Sequence, residues 1–238
     1  MRSLLLVGLG GYLFSAFNTA AAQNDSVPHV ERKWTPPLAW IAPVGIAASA
    51  VLDPEAREWA LRGHTRSLDH FAKSVNRLGT TQRLVPGMAL TYVGALLTHR
   101  ESLATGTLNT AAAYLAADLV ESALKPIVGR ERPHVEGNSH RFHPFTANGD
   151  WHSFPSAHVT HIASIAAAVS AQTHSVPLSA LSDVLVSLVG LDRVYEDQHW
   201  TSDVTATIVL SSIVSEATVR WLKSRTATSA TATSPTPK

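Results

Sequence analysis

Apolar residues in this chain recur at helical rather than strand spacing, in stretches that mostly run about 12–19 residues. Residues 34–52 carry no charge but include Pro36, Pro37 and Pro43, so helix is expected from Pro37 onward, where proline fits a first turn. Residues 54–78 are charged, amphipathic and helical in character. Apolar helical segments are expected over 81–98, 102–125, 158–173, 177–191 and 202–225, and a polar loop rich in His, Asn and Gly over 134–153. No alternating strand run and no fixed-period repeat breaks this pattern. The expectation is an all-α protein, a single helical bundle of about six core helices with a long loop between the third and the fourth.

The 238 residues suit one domain. The chain has no cysteine, which excludes thiol nucleophiles, disulfides and cysteine-ligated metals. The N-terminus has the grammar of an export signal: Arg2, an uncharged and largely apolar run from 4 to 17, and the small residues Ala20, Ala21 and Ala22. Residues 1–22 are therefore expected to be removed, with 23–36 a polar lead-in, 37–225 the helical domain and 226–238 a Thr/Ala/Ser/Pro-rich disordered tail. Export points to the periplasm or cell envelope. Loss of residues 1–22 would leave 18 basic and 18 acidic side chains, a balance that gives no electrostatic footprint for nucleic acid. The apolar stretches are shorter and richer in Ala, Ser and Thr than spanning helices, so a soluble bundle is expected, with a membrane-embedded one as the alternative.

Three clusters carry chemistry. In the first, Lys125 and Arg132 stand seven apart, close to two helical turns, although Pro126 signals a kink or helix end between them. Two fixed cations suit an oxyanion, and arginine offers a bidentate fork. In the second, Pro155, Ser156, Ala157 and His158 open a helix, whose first-turn N–H groups and positive dipole end form a ready anion site. In the third, Arg193 precedes His199 and Asp203. The last two are four apart, which allows a carboxylate to hold one ring nitrogen and leave the other to attack or take a proton. Taken singly, the first cluster reads more readily as a basic helix end and the second as a simple N-cap, while the third reads equally as a charged loop before a capped helix.

Together and in order, they resemble the three-part signature of the type 2 phosphatidic acid phosphatase superfamily, which also includes bacterial acid phosphatases and vanadium haloperoxidases. K-x(6)-R-P is met by Lys125, Arg132 and Pro133; P-S-G-H by Pro155, Ser156, Ala157 and His158; S-R-x(5)-H-x(3)-D by Asp192, Arg193, His199 and Asp203. The resemblance covers roughly residues 84–222. Two positions depart from it. Ala157 replaces a glycine and brings a methyl group close to the anion, and Asp192 replaces a serine and brings a carboxylate.

The resemblance implies a metal-independent phosphatase that hydrolyses phosphomonoesters or lipid phosphates. His199 is then the nucleophile that forms a phosphohistidine, Asp203 orients it, and His158 is the general acid and base. Lys125, Arg132 and Arg193 hold the phosphate, assisted by Ser156 and by backbone N–H groups near Ala157. Three cations supply the neutralisation that metals supply elsewhere, so no cofactor is expected. Vanadate is expected as an inhibitor, or as the prosthetic group if the chain is instead a vanadate-dependent haloperoxidase. The same motifs also fit a membrane-embedded lipid (di)phosphate phosphatase, or a non-catalytic envelope protein whose site has decayed. His140 with His143, and His158 with His161, do not complete a metal set. His161 is expected to face solvent or the pocket wall. Trp151, His152 and Phe154 flank the pocket in sequence.

Overall fold

A computed structural model describes residues 36–173 and 175–232, with side chains over 42–173 and 175–226. The expected signal segment and most of the lead-in lie outside the described residues.

Among the described residues there are nine helices and a single isolated β-bridge, Arg130 with Phe142. The helices are α1 (Pro36–Val51), α2 (Asp53–Arg62), α3 (Arg66–Asn76), α4 (Thr81–Leu97), α5 (Glu101–Val128), α6 (Pro133–Glu136), α7 (Ala157–Thr173), α8 (Val176–Tyr195) and α9 (Thr201–Ala232). The all-α expectation holds, and the six long helices α1, α4, α5, α7, α8 and α9 correspond to the six apolar segments.

Local chemistry explains the boundaries. Pro54 sits in the first turn of α2 with Asp53 and Glu55, while Arg62 closes its last turn, a charge order that suits the helix dipole. The stretch expected as one helix over 54–78 divides at Gly63. Thr65 then caps α3 by accepting from the Leu68 N–H at 3.3 Å. Pro126 does not end α5, because the helix runs on to Val128 and stops at Gly129 in the left-handed region (φ 58°). No side chain fits at Gly129, where a Cβ would lie 1.9 Å from the His143 carbonyl oxygen. At the other end of the chain, α9 continues to Ala232, past the expected boundary at Arg225. Alanine and the absence of proline before Pro235 let the helix persist, and the rest of the expected tail is outside the described residues.

Helix α7 is the axis of the bundle and packs on α5, α8 and α9. Its residues are buried nearly all round, which is why it reads as alanine, valine and small hydroxyl side chains rather than as a two-faced helix. Val159, Ile162, Ala163 and Ala166 of α7 form the main core with Val75, Val186, Val189, Val204 and Ile208. On the outside, α4 and α5 present Leu90, Leu97, Leu115 and Leu119, each more than half exposed. No helix among the described residues is long and apolar enough to cross a membrane.

Candidate active site

The site lies where the end of α5, the following loop, the start of α7 and the α8–α9 junction meet. His199 precedes α9 and is 5% exposed. Its backbone N–H reaches the Arg193 carbonyl at 3.2 Å, and its Nδ1 lies 2.5 Å from the Ser153 carbonyl oxygen. A carbonyl only accepts, so Nδ1 carries the proton and Nε2 is left as the lone-pair nitrogen.

This differs from the bond to Asp203 expected from the four-residue spacing. Asp203 is fully buried and faces elsewhere: Oδ2 accepts from Ser153 Oγ at 2.6 Å and from the Trp200 N–H at 3.0 Å, and Oδ1 accepts from Arg130 Nη1 at 2.6 Å. Its carboxylate therefore caps the first turn of α9 and acts on His199 through Ser153. The reason is local: Asp203 lies within the helix while His199 lies before it, so the i,i+4 face expected of a continuous helix is never formed. Burial pushes the Asp203 carboxyl upward, and Arg130 with the two hydrogen bonds opposes this.

Arg130 was not among the residues singled out by sequence, yet it is the hub of the network. Nη2 reaches Asp53 Oδ2 at 2.8 Å and the Ser139 carbonyl at 2.9 Å, and Nη1 reaches Ser202 Oγ at 2.7 Å. Asp53 also accepts from the Ser202 N–H at 2.9 Å and from its hydroxyl at 2.6 Å. Nearby contacts come from the same part of the chain. Arg57 pairs with Asp197 through Nε at 2.8 Å and Nη2 at 3.0 Å, and Tyr195 donates to Asp69 at 2.6 Å. Residues of α2 and α3 thus brace the whole segment from Tyr195 to Ser202. Trp200, 1% exposed, anchors it from inside and donates Nε1–H to the Glu131 carbonyl at 2.9 Å.

The three expected phosphate-binding cations converge electrostatically on both histidines. Burial pushes His199 well below its usual value, and Arg132, Lys125 and Arg193 push in the same direction against the Ser153 bond. His158 is lowered to about 4, by burial first and then by Arg193, His161, Lys125 and Arg132. Lys125 and Arg132 do not share a helical face, since Arg132 lies beyond the end of α5; it binds Gln198 Oε1 at 2.6 Å and the Gly149 carbonyl at 3.1 Å. Lys125 pairs with Glu121 one turn earlier, and Arg193 pairs with Asp192. Burial pushes the Asp192 carboxyl upward against that pairing.

Ser156 is fully buried. Its N–H donates to Thr207 Oγ1 at 3.0 Å, while its own hydroxyl has no partner among the described residues. Ala157 is the first residue of α7, so the N–H groups of Ala157, His158 and Val159 have no partners within the helix, whose first bond runs from the Thr160 N–H to the Ser156 carbonyl at 2.8 Å. His161 does not face solvent. It is buried, with Nδ1 at 2.9 Å from the Gly79 carbonyl, Nε2 at 2.8 Å from Asp118, and its ring packed against Tyr114. Gly79 in turn touches His158, where a Cβ would come within 2.9 Å of the histidine Cβ. His161, Asp118 and Gly79 therefore buttress His158; only the i,i+3 spacing of the two histidines hinted at this. Trp151 and His152 belong to the loop, His152 bonding the Thr146 carbonyl at 2.9 Å and Trp151 packing against His143. No group of three or more metal-ligating side chains occurs among the described residues.

A family model described as the PAP2 superfamily matches residues 106–227. Among solved structures, the chain is similar to a transmembrane PAP2-type phosphatidylglycerolphosphate phosphatase from Bacillus subtilis, with TM-score 0.58 and 20% identity over 92% of this chain and 96% of that one. It is also similar to LpxE from Aquifex aeolicus, with TM-score 0.56 and 18% identity over 71% of this chain and 95% of that one. At these identities the likeness is one of fold. No curated protein matches.

Proposed function

This chain belongs to the PAP2 superfamily, and we propose that it is a metal-independent phosphatase acting through a phosphohistidine. One observation carries the reading. A buried histidine, held at Nδ1 by the Ser153 carbonyl, lies in the field of the three cations Lys125, Arg132 and Arg193.

In the proposed reaction, Nε2 of His199 attacks phosphorus and the bond to the leaving oxygen breaks. His158 gives that oxygen its proton. Water then attacks the phosphohistidine while His158 takes a proton from it, releasing inorganic phosphate and regenerating neutral His199. In the free enzyme burial first, and then the cations, keep His158 neutral above about pH 4. The negative charge of a bound phosphate offsets them and favours the imidazolium that the first step needs. Phosphoryl transfer depends chiefly on positioning and charge neutralisation, which the three cations, Ser156 and the first-turn N–H groups of α7 supply.

The substrate class proposed is lipid phosphate. The exposed leucines of α4 and α5 support it, since large apolar side chains left in water on two helices that pack together suit an apolar partner. The solved structure described as a transmembrane phosphatidylglycerolphosphate phosphatase has the same fold. The N-terminal sequence supports export to the cell envelope.

The test is hydrolysis by the full chain in excess EDTA, beside a His199→Ala variant. Phosphatidate in mixed micelles is compared with p-nitrophenyl phosphate. EDTA-resistant, vanadate-inhibited turnover that disappears in the variant, with kcat/KM higher on the lipid, is expected. Turnover that survives in the variant would overturn the phosphohistidine route. Equal or better turnover of the soluble ester would overturn the lipid assignment.

A further inference from the structure

Two of the three phosphate-binding cations already hold a carboxylate. Asp192 Oδ2 accepts from both Nε and Nη2 of Arg193, which is the same two-donor fork that a phosphate oxygen pair would take. Both side chains are buried, Asp192 to 4% and Arg193 to 5% exposure. The other carboxylate oxygen of Asp192, Oδ1, is buried with no hydrogen-bond partner among the described residues. Asp192 is thus tied into the structure at this end by Arg193 alone. Glu121 plays the matching part on Lys125: it is 3% exposed, Oε1 takes the ammonium, and Oε2 accepts from Ser122 Oγ at 3.2 Å.

We propose that Asp192 is a specificity-determining counter-anion that competes with phosphate for Arg193, as Glu121 does for Lys125, and so sets how weakly the site holds inorganic phosphate. The inference rests on the phosphatase reading above. Arg193 cannot present its Nε–Nη2 edge to Asp192 and to a ligand at once. Binding is therefore an exchange, in which a phosphate with two or more negative charges displaces a single carboxylate. The three cations and two carboxylates leave the empty site with an excess of about one positive charge, where three unpaired cations would hold the released product far more tightly. A carboxylate in place of serine then limits product retention while leaving the cations in position for the more highly charged transition state.

The experiment is titration of the full chain with inorganic phosphate by isothermal calorimetry, checked with vanadate, on wild type, Asp192→Ser, Asp192→Asn and Arg193→Ala. Asp192→Asn keeps the shape of the side chain and removes its charge, so it remains informative if Asp192→Ser folds poorly. Both Asp192 variants are expected to bind phosphate about tenfold tighter or more, the change that freeing one charge-assisted hydrogen-bond fork produces. Arg193→Ala is expected to bind it more weakly than wild type. Unchanged or weaker binding in both folded Asp192 variants, with Arg193→Ala still impaired, would overturn the competition and leave the phosphatase reading intact. Absence of phosphate and vanadate binding in every protein would overturn both.

Discussion

Ser153 touches His199 and Asp203 at once: its carbonyl holds Nδ1 of His199 at 2.5 Å and its hydroxyl donates to Asp203 at 2.6 Å. The polypeptide itself fixes the histidine tautomer, and the carboxylate fixes the polypeptide. Ser153→Ala keeps the carbonyl and removes the link. It is expected to lower kcat about tenfold with little change in KM, the loss of one hydrogen bond to a charged group. If Asp203 instead oriented the ring directly, steady-state kinetics of this variant would match wild type.

The pH dependence follows from His158. A histidine lowered to about 4 is protonated in only a small fraction of the free enzyme at neutral pH. On this group kcat/KM, which reports the free enzyme, is expected to fall as pH rises through about 4. The corresponding limb of kcat, which reports the complex, is expected at higher pH because bound phosphate favours the imidazolium. Rate profiles from about pH 3 to 9 check this, and coincident limbs would contradict it. Neutralising Lys125 removes a charge that lowers His158, so Lys125→Met is expected to move the kcat/KM limb upward.

Asp53 and Asp203 share Arg130, with all three side chains at 10% exposure or less. Removing one partner leaves buried charge uncompensated. Asp53→Ala is expected to destabilise the fold by about 3–5 kcal/mol, read by chemical denaturation. A loss under about 1 kcal/mol would mean that Arg130 finds another acceptor.

Trp200 follows His199 and is buried to 1% exposure. Trp200→Ala is expected to cost about 3–5 kcal/mol and to loosen the segment before α9. Urea unfolding gives the first quantity. Hydrogen exchange at the amides of residues 196–203 gives the second.

Gly129 is the hinge between α5 and the loop that carries Arg130 and Arg132. Gly129→Ala meets a left-handed φ of 58° and a carbonyl oxygen at 1.9 Å. The left-handed backbone alone costs about 1 kcal/mol or more, so a lower melting temperature and a raised KM are expected together, the latter because Arg132, proposed to hold phosphate, moves.

The helices and the candidate site residues are legible in the sequence because both are local. Helical periodicity marks the six long segments, and three short motifs name His158, His199 and the cations. What was not legible is the set of contacts between distant positions. Nothing in the spacing of residues 192–203 shows that His199 turns to Ser153 rather than to Asp203. That depends on the helix starting at Thr201 and on a loop 46 residues away in sequence. Asp53 lies 77 residues from Arg130 and is an unremarked acid in a charged helix until the fold brings them together. His161 reads as a histidine facing solvent or a pocket wall because its two acceptors, Gly79 and Asp118, come from other elements.

The brace formed by α2 and α3 has a consequence for how this protein can be divided. The family match begins at residue 106, and every proposed site residue follows it. Asp53, Arg57 and Asp69, which grip Ser202, Asp197 and Tyr195, all precede it. A fragment trimmed to the matched region would keep the whole motif set and lose the scaffold that aims it. The unit recognisable by homology is smaller than the unit that can act, and any fusion, permutation or minimal enzyme built from this chain has to retain the segment from residue 53.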